Sequence, residues 1–316
     1  MPIDCSTSGP LILVRNHAGV TLPFSVGVLA TSILVTGIAT PLAYELATAI
    51  ADELHAGPAR EVAGDDLLER VARHLEARVD AAAAERYRAW RMARRCGRPL
   101  VLCLTGAPGV GKSTIATRLA LRLGVQRVVP TDAIREVLRT VIPASVLPEL
   151  HLPAYEAANP PPTPDAAESP FVRQARAVGG AVAAVAERMV REGRSVLVEG
   201  AHVLPGELRD ELRRRDCQAI VVELLCTLDD ERLHRAYMLR RTRLDAALPG
   251  VRHLRNFAAI RRLQEELRRR ARAAGVLWHD LANLEGLTEC IVDRFVAEAQ
   301  AMVPTMAGVG ARSEAP

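Results

Sequence analysis

The sequence predicts an α/β protein in which a parallel sheet with helices on both faces follows a small, mostly helical domain. From Leu100 onward, short apolar runs alternate with longer helical stretches, as right-handed βαβ units require. The first hundred residues lack that alternation and are rich in helix-forming sequence. The 316 residues exceed one typical domain, and a hydrophobic content of 49% allows a sizeable core.

We expect the chain to divide into four segments. They are a small domain (1–60), a helical linker (61–98), the α/β domain (99–303) and a disordered tail (304–316). In the first two segments, strands are predicted at 11–15 and 20–22 and helices at 25–35, 41–54 and, as one continuous stretch, 65–95.

The α/β domain is predicted element by element from apolar runs and turn residues. Strands are expected at 100–104, 127–129, 195–199, 219–226 and 276–278. Helices are expected at 112–123, 132–141, 171–191, 206–215, 229–246, 253–274 and 287–302. The proline-containing segment 145–170 is predicted to be a loop.

Composition and charge argue against several classes of function. The formal net charge of +4 is small for this length, and aromatic residues make up only 3%, so we expect no nucleic-acid partner. The uncharged stretch from Phe24 to Tyr44 is interrupted by Gly27, Gly37 and Pro41, so we expect no membrane span. The N-terminus lacks the features of a signal peptide, and we expect a cytoplasmic protein with reduced cysteines.

The strongest motif is a phosphate-binding loop (P-loop), GAPGVGKST, between a predicted strand and a predicted helix. Its expected nucleotide-binding residues are Gly106, Ala107, Gly109, Val110, Gly111, Lys112, Ser113 and Thr114. Lys112 is the only lysine among 41 basic residues, and it occupies the position that contacts the β- and γ-phosphates. Ser113 is expected to ligate Mg²⁺, so the motif predicts binding of ATP with Mg²⁺.

The end of the second predicted strand of the α/β domain supplies a candidate catalytic carboxylate. Ligands of parallel sheets bind at the carboxyl ends of the strands, which places Asp132 near the P-loop. There it can orient an acceptor hydroxyl or accept its proton. The alternative is that Asp132 caps the following helix. Arg135, in the same helix, is assigned to acceptor binding.

The third strand of that domain ends in Glu199, Gly200 and, two residues later, His202. Glu199 is expected to organise Mg²⁺, although a solvated strand end is the simpler alternative. Gly200 is expected to let an acceptor approach the backbone closely. His202 is assigned to substrate contact, with a structural histidine as the alternative.

Nine arginines lie between Asp229 and Arg262, and most are expected to be solvated helix faces because arginine is the default base of this chain. Some are expected to stabilise the charge that develops during phosphoryl transfer or to bind an anionic acceptor, since guanidinium groups bind such oxygens bidentately.

Several segments, in order along the chain, resemble the 2-phosphoglycerate kinase family. They are GAPGVGKSTIATRLALRLG, TDAIREVLR, LHLPAYEA, VEGAHVLPG and HLRNFAAIRRLQ, preceded by LPFSVGVLATSILVTGIATPLAYELA, which resembles that family's ATP-cone-like domain. The similarity extends from about Leu11 to Glu298. One departure is Pro108, where the family usually has a small or hydroxyl residue.

The resemblance implies ATP-dependent phosphorylation of the 3-hydroxyl of 2-phosphoglycerate, which gives 2,3-bisphosphoglycerate and ADP. It also implies an arginine-bearing lid, with Arg240 and Arg241 acting in catalysis and Arg261 facing the acceptor. The implied partner is thus a small anionic metabolite. The sequence does not determine the oligomeric state, and a homo-oligomer is one of the possible states. Nucleotide binding by the first domain is not predicted, because Arg15 and His17 are its nearest charged candidates.

Two other functions stay open from the sequence. The same scaffold could phosphorylate another phosphorylated hydroxy acid or sugar, because acceptor pockets diverge more readily than phosphate sites. A nucleotide-gated regulator would instead bind ATP without consuming it in the presence of any small acid.

Overall fold

The computed structural model describes residues 11–158, 168–244 and 249–302, apart from the side chains of 241–244 and 249–251. The predicted tail at 304–316 lies outside the described residues. The chain forms two compact units. Of the described residues, one unit contains 11–96, 122–124 and 288–302, and the other contains 97–121, 125–158, 168–244 and 249–287.

The first unit contains a three-stranded sheet of order β2-β1-β3. Its strands are β1 (Leu13–Arg15), β2 (Thr21–Pro23) and β3 (Glu61–Ala63). β1 pairs antiparallel with β2 and parallel with β3. β3 is not predicted from the sequence, because Val62 is the only buried residue among its three, which is too little for a recognisable alternation.

The helices of the first unit are α1 (Val26–Ile33), α2 (Thr40–Ala56), α3 (Gly64–Arg78), α4 (Ala81–Arg94) and α13 (Leu287–Met302). The prediction of one helix over 65–95 is wrong. The chain breaks at Val79, and the Asp80 carboxylate caps α4 by accepting the Ala83 N–H at 2.7 Å. The expected boundaries placed α13 in the α/β domain, whereas Phe295 packs on Trp90 of α4 with ring centroids 4.5 Å apart.

The second unit is built on a five-stranded parallel sheet of order β5-β6-β4-β7-β8. Its strands are β4 (Leu100–Thr105), β5 (Arg127–Pro130), β6 (Val196–Gly200), β7 (Ile220–Thr227) and β8 (Leu277–Asp280). Every neighbouring pair is parallel, which confirms the predicted α/β class. β4 lies at the centre, between the two halves of the sheet.

The helices of this unit are α5 (Lys112–Arg122), α6 (Thr131–Val141), α7 (Ala154–Ala157), α8 (Pro170–Arg191), α9 (Glu207–Arg214), α10 (Glu231–Leu244), α11 (Pro249–Arg255) and α12 (Phe257–Ala273). Two predictions are wrong. The described part of the expected loop at 145–170 contains a 3₁₀ turn at Pro148–His151 as well as α7, while residues 159–167 of that loop lie outside the described residues. The expected helix at 253–274 is interrupted at Asn256, between α11 and α12.

Both faces of the sheet are covered. Val101 and Cys103 of β4 pack with buried residues of α8 and α9. Leu102 and Leu104 alternate with them and therefore point to the other face, and both are fully buried. Within 11–158, 168–244 and 249–302, no helix is both long and apolar enough to cross a membrane.

Candidate active site at the P-loop

The P-loop follows β4, the strand at which the order of strand addition reverses. The chain leaves β4 for β5 on one side, and β7 and β8 are added on the other. The Gly106 N–H donates to the Gly200 carbonyl at 3.2 Å, so the loop starts beside the end of β6. The crevice at such a switch point is where open α/β sheets bind ligands.

Lys112 lies in the first turn of α5 and is only 8% exposed. Its ammonium donates to the Ala107 carbonyl at 2.8 Å, so the lysine is hydrogen-bonded to the backbone of the P-loop itself. A buried ammonium is costly unless anions or acceptors surround it. The arrangement thus fits a loop whose lysine meets phosphate oxygens.

Ser113 and Glu199 bring two oxygen ligands together. The Ser113 hydroxyl, at the start of α5, donates to a carboxylate oxygen of Glu199 in β6 at 2.9 Å. Glu199 is 8% exposed. Among the residues that the structure describes, no group of three or more His, Cys, Asp or Glu side chains is arranged to hold a metal ion. Mg²⁺ commonly uses one or two protein oxygens and completes its shell with water and substrate phosphates, so this pair fits it.

Asp132 lies in the first turn of α6 and is exposed to the cleft, with 74% of its side chain accessible. The capping alternative is wrong, because Pro130 is the N-cap and no side chain caps this helix. One Asp132 carboxylate oxygen is 3.9 Å from Arg135 Nε and 3.9 Å from His202 Nδ1. The carboxylate is therefore near cationic and polar groups but free to meet a ligand.

His202 is buried beneath Asp132. Its Nδ1 is 3.0 Å from the Thr131 hydroxyl, and its Nε2 is buried with no hydrogen-bond partner in the described part of the chain. Burial lowers the pKa of His202 to about 4, although the Asp132 carboxylate raises it in part; Arg135 and Lys112 lower it further. The ring is therefore neutral at physiological pH.

Arg135 reaches from α6 to the 3₁₀ turn at Pro148–His151. Its guanidinium donates to the carbonyls of Leu150 and Leu152 at 3.1 and 3.3 Å, and its Nε has no hydrogen-bond partner among the described residues. Arg135 and His202 thus both line the cleft, and each keeps one buried nitrogen without a partner among the described residues.

Gly200 has a different role from the one expected. Its φ is +153°, and a Cβ would lie 1.8 Å from the Thr131 hydroxyl oxygen. The space predicted for an approaching acceptor is therefore occupied by Thr131, whose hydroxyl contacts His202. Glycine is needed here so that α6 can begin against the end of β6.

These groups line one cleft of about 1270 Å³. The predicted site residues that line it are Gly109, Val110, Gly111, Lys112, Ser113, Thr114, Asp132, Arg135, Glu199, Gly200, His202 and Arg240. Gly106 and Ala107 are not among its lining residues, and the side chain of Arg241 lies outside the description. Arg261 is wrongly placed by the expectation: it lines a separate cavity of about 550 Å³ and donates to the Leu228 and Asp229 carbonyls.

Several lining residues were missed from the sequence. They are Arg118, Tyr155, Tyr237, Arg252 and His253. Arg118 could have been found, because it follows Thr114 by four residues and so shares its helix face. Tyr155 belongs to α7 and Arg252 to α11, and α8, α9 and α10 lie between these helices in the sequence. Only the tertiary fold shows that the two side chains share a cleft.

Comparison with curated proteins gives relatives over most of the chain. A 2-phosphoglycerate kinase of Methanothermobacter thermautotrophicus is 36% identical over 262 residues, which cover 81% of this chain and 84% of that protein. A 2-phosphoglycerate kinase of Thermococcus kodakarensis is 33% identical over 285 residues, which cover 89% of this chain and 96% of that protein.

No family model matches the chain. Among solved structures, a gluconokinase from Sinorhizobium meliloti is 17% identical, with a TM-score of 0.34, over 64% of this chain and 93% of that one. An overlap that low does not bear on the assignment. The two archaeal relatives exceed 30% identity over more than four fifths of their own length, and by that measure the chain belongs to the 2-phosphoglycerate kinase family.

Proposed function

We propose that this protein transfers the γ-phosphoryl group of ATP to the 3-hydroxyl of 2-phosphoglycerate, giving 2,3-bisphosphoglycerate and ADP. One observation carries the proposal. A P-loop with its buried lysine faces, in one cleft, an exposed carboxylate and a wall of cationic and polar groups. A phosphoryl donor and an anionic acceptor each find complementary chemistry there, and the family relationship points to the same pair of substrates.

On the donor side, the loop amides and Lys112 surround the phosphates of ATP. Lys112 releases the Ala107 carbonyl, now 2.8 Å from its ammonium, in favour of β- and γ-phosphate oxygens. The N-terminus of α5 adds its positive end. Ser113 and Glu199 would hold Mg²⁺, and the ion would neutralise part of the phosphate charge.

On the acceptor side, 2-phosphoglycerate brings a phosphate and a carboxylate and so needs several cations. Arg118, Arg240 and Arg252 line the cleft with exposed side chains, and Arg135 lies on its wall. Guanidinium groups bind such anions bidentately. If Thr131 donates to Nδ1 of His202, Nε2–H of that neutral ring becomes a further donor to the acceptor.

The transfer step needs the acceptor hydroxyl to attack in line. Asp132 orients that hydroxyl and accepts its proton as the new oxygen–phosphorus bond forms. The bond between the γ-phosphorus and the β–γ bridging oxygen breaks, and ADP leaves with that oxygen. Lys112 and the loop amides remain on the β-phosphate as its charge increases.

The test is an acceptor screen with ATP and Mg²⁺ that follows ADP release and identifies products by phosphorus NMR. The panel is 2-phosphoglycerate, 3-phosphoglycerate, glycerate and gluconate. We expect the highest kcat/KM with 2-phosphoglycerate and a product with phosphates on both C2 and C3. A higher kcat/KM with another acid would overturn the acceptor, and ADP release independent of every acid would overturn transfer itself.

A further inference from the structure

A buried histidine from α10 contacts the backbone of the P-loop. His234 lies on α10 and is fully buried. Its Nε2 is 2.9 Å from the Pro108 carbonyl oxygen. Since a carbonyl oxygen only accepts, the imidazole must carry its proton on Nε2 and donate it to the loop.

That hydrogen bond fixes the plane of the peptide that joins Pro108 to Gly109. In a trans peptide the C=O and the N–H point in opposite directions. The carbonyl of Pro108 is directed at α10, so the amide of Gly109 is directed to the other side of the loop. Pro108 and Gly109 both line the cleft. An amide held in this orientation would be able to donate to a phosphate bound in the loop. Pro108 itself has no N–H, which makes the neighbouring donor more important.

A second residue selects the tautomer of the neutral His234 ring. Arg261 on α12 approaches Nδ1 of His234 to 3.5 Å, a long hydrogen bond in which only the guanidinium can donate. Nδ1 must then accept, which leaves the proton on Nε2. Arg261 is anchored by the Leu228 carbonyl at 2.5 Å and the Asp229 carbonyl at 3.1 Å, at the connection between β7 and α10.

Packing holds α10 against the loop. A Cβ added to Gly109, whose φ is +83°, would lie 2.7 Å from the terminal methyl of Met238 and 3.3 Å from His234 Nε2. Met238 follows His234 by one helical turn, so the two side chains share a face of α10. The imidazole also packs edge-on against Phe257, with ring centroids 5.3 Å apart. The donor can thus neither swing away nor be replaced by water without moving the helix.

We infer that His234 is a positioning residue for nucleotide binding: held by Arg261, it donates to the Pro108 carbonyl and so directs the Gly109 amide at the phosphates of ATP. This inference rests on the proposed function, because it assumes that the P-loop binds ATP. It gives Arg261 an indirect role in place of the expected contact with the acceptor.

The experiment measures the Kd of a non-hydrolysable ATP analogue with Mg²⁺ by calorimetry for the full-length protein. His234→Leu removes the donor at similar volume, and His234→Gln restores a side-chain N–H near the position of Nε2. Leu239→Gln, at an exposed site on the same helix, is the matched control. Melting of the nucleotide-free proteins reports on folding separately.

We expect His234→Leu to raise the Kd by roughly three- to tenfold, as the loss of one hydrogen bond that orients a donor would. His234→Gln should recover most of that loss, and Leu239→Gln should bind as the unaltered protein does. In turnover assays KM for ATP should rise more than kcat falls. A merely structural histidine would lower the melting temperature and leave the Kd of the folded protein unchanged.

Two outcomes overturn the inference alone: unchanged affinity in His234→Leu, or equal weakening in His234→Leu and His234→Gln. Failure of the unaltered protein to bind the analogue would overturn the proposed function and this inference with it. The two failures are therefore distinguishable in one set of titrations.

Discussion

Lys112 is the residue on which phosphoryl transfer is expected to depend most. Replacing it by alanine should lower kcat by about 10²- to 10³-fold, because a preorganised donor to the transferring phosphate is lost. The free energy of unfolding should change little, since the bond to the Ala107 carbonyl is one ordinary hydrogen bond. Steady-state turnover and urea denaturation of the same preparation check both parts. Full turnover in this variant would refute the role of Lys112.

Asp132 is assigned to the acceptor hydroxyl. Asp132→Asn should lower kcat by about 10²- to 10⁴-fold, since an amide cannot take the proton, while the Kd for the ATP analogue stays near its original value. Stability should fall by no more than about 1 kcal/mol, the contribution of a carboxylate in the first turn of a helix. A variant that loses stability and keeps its turnover would return Asp132 to a purely structural role.

His202 should make stability depend on pH below neutrality. Its pKa of about 4 in the folded protein is lower than the 6.5 of the unfolded chain, so unfolding takes up a proton between those values. The contribution is complete above pH 6.5 and is lost as the pH falls toward 4, by about 2 kcal/mol at pH 5. Denaturation series at pH 7.5 and 5 should show a smaller loss in His202→Gln. An equal loss in both proteins would contradict this assignment.

The site residues that the sequence could predict share a local signal. The P-loop and Asp132 are identified by their place just after a strand, which requires no tertiary knowledge. Arg261 could not be placed in this way. Its helix periodicity is the same whether it faces the acceptor or the carbonyls of Leu228 and Asp229, and only the packing of α12 decides.

At the scale of elements, the contact between β6 and α6 depends on a single glycine. Gly200→Ala should lower the free energy of unfolding by about 2 kcal/mol or more, because it combines a left-handed φ with a clash against Thr131. Gly180→Ala is the matched control. Gly180 lies inside α8 with no atom within 4 Å of an added Cβ, so alanine there should stabilise by about 0.5–1 kcal/mol. Equal effects in the two variants would contradict the account of Gly200.

Sequence periodicity failed to predict the two positions at which a helix is interrupted. Val79 continues the helical spacing of apolar residues, and no proline or glycine marks Asn256, so the pattern predicts one helix at each place where the protein has two. At the first break the competing signal was present, since Asp80 is a good N-cap residue. At the second, Asn256 is also of a residue type that favours N-caps, but its side chain donates to the Arg252 carbonyl at 2.9 Å and caps no N–H of α12.

At the scale of the whole molecule, the α/β class was predictable because β4, β6 and β7 are buried along their whole length and are mostly apolar, with Glu199 and Glu223 as the charged exceptions. The order β5-β6-β4-β7-β8 was not, since each strand's neighbours are chosen by long-range packing. That order nevertheless fixes the site, because it puts the P-loop after β4 and Glu199 near the end of the adjacent strand, β6. The ATP-cone-like character of the first domain stays a prediction.

The most direct test is a crystal structure with a non-hydrolysable ATP analogue, Mg²⁺ and 2-phosphoglycerate. We predict the triphosphate against residues 109–114, Mg²⁺ at Ser113 and Glu199, and the acceptor's 3-hydroxyl within hydrogen-bond reach of Asp132. The acceptor's anionic groups should contact Arg135 and its neighbours on the cleft wall. A triphosphate bound away from the P-loop, or an acceptor bound outside the cleft that Asp132 lines, would contradict the account.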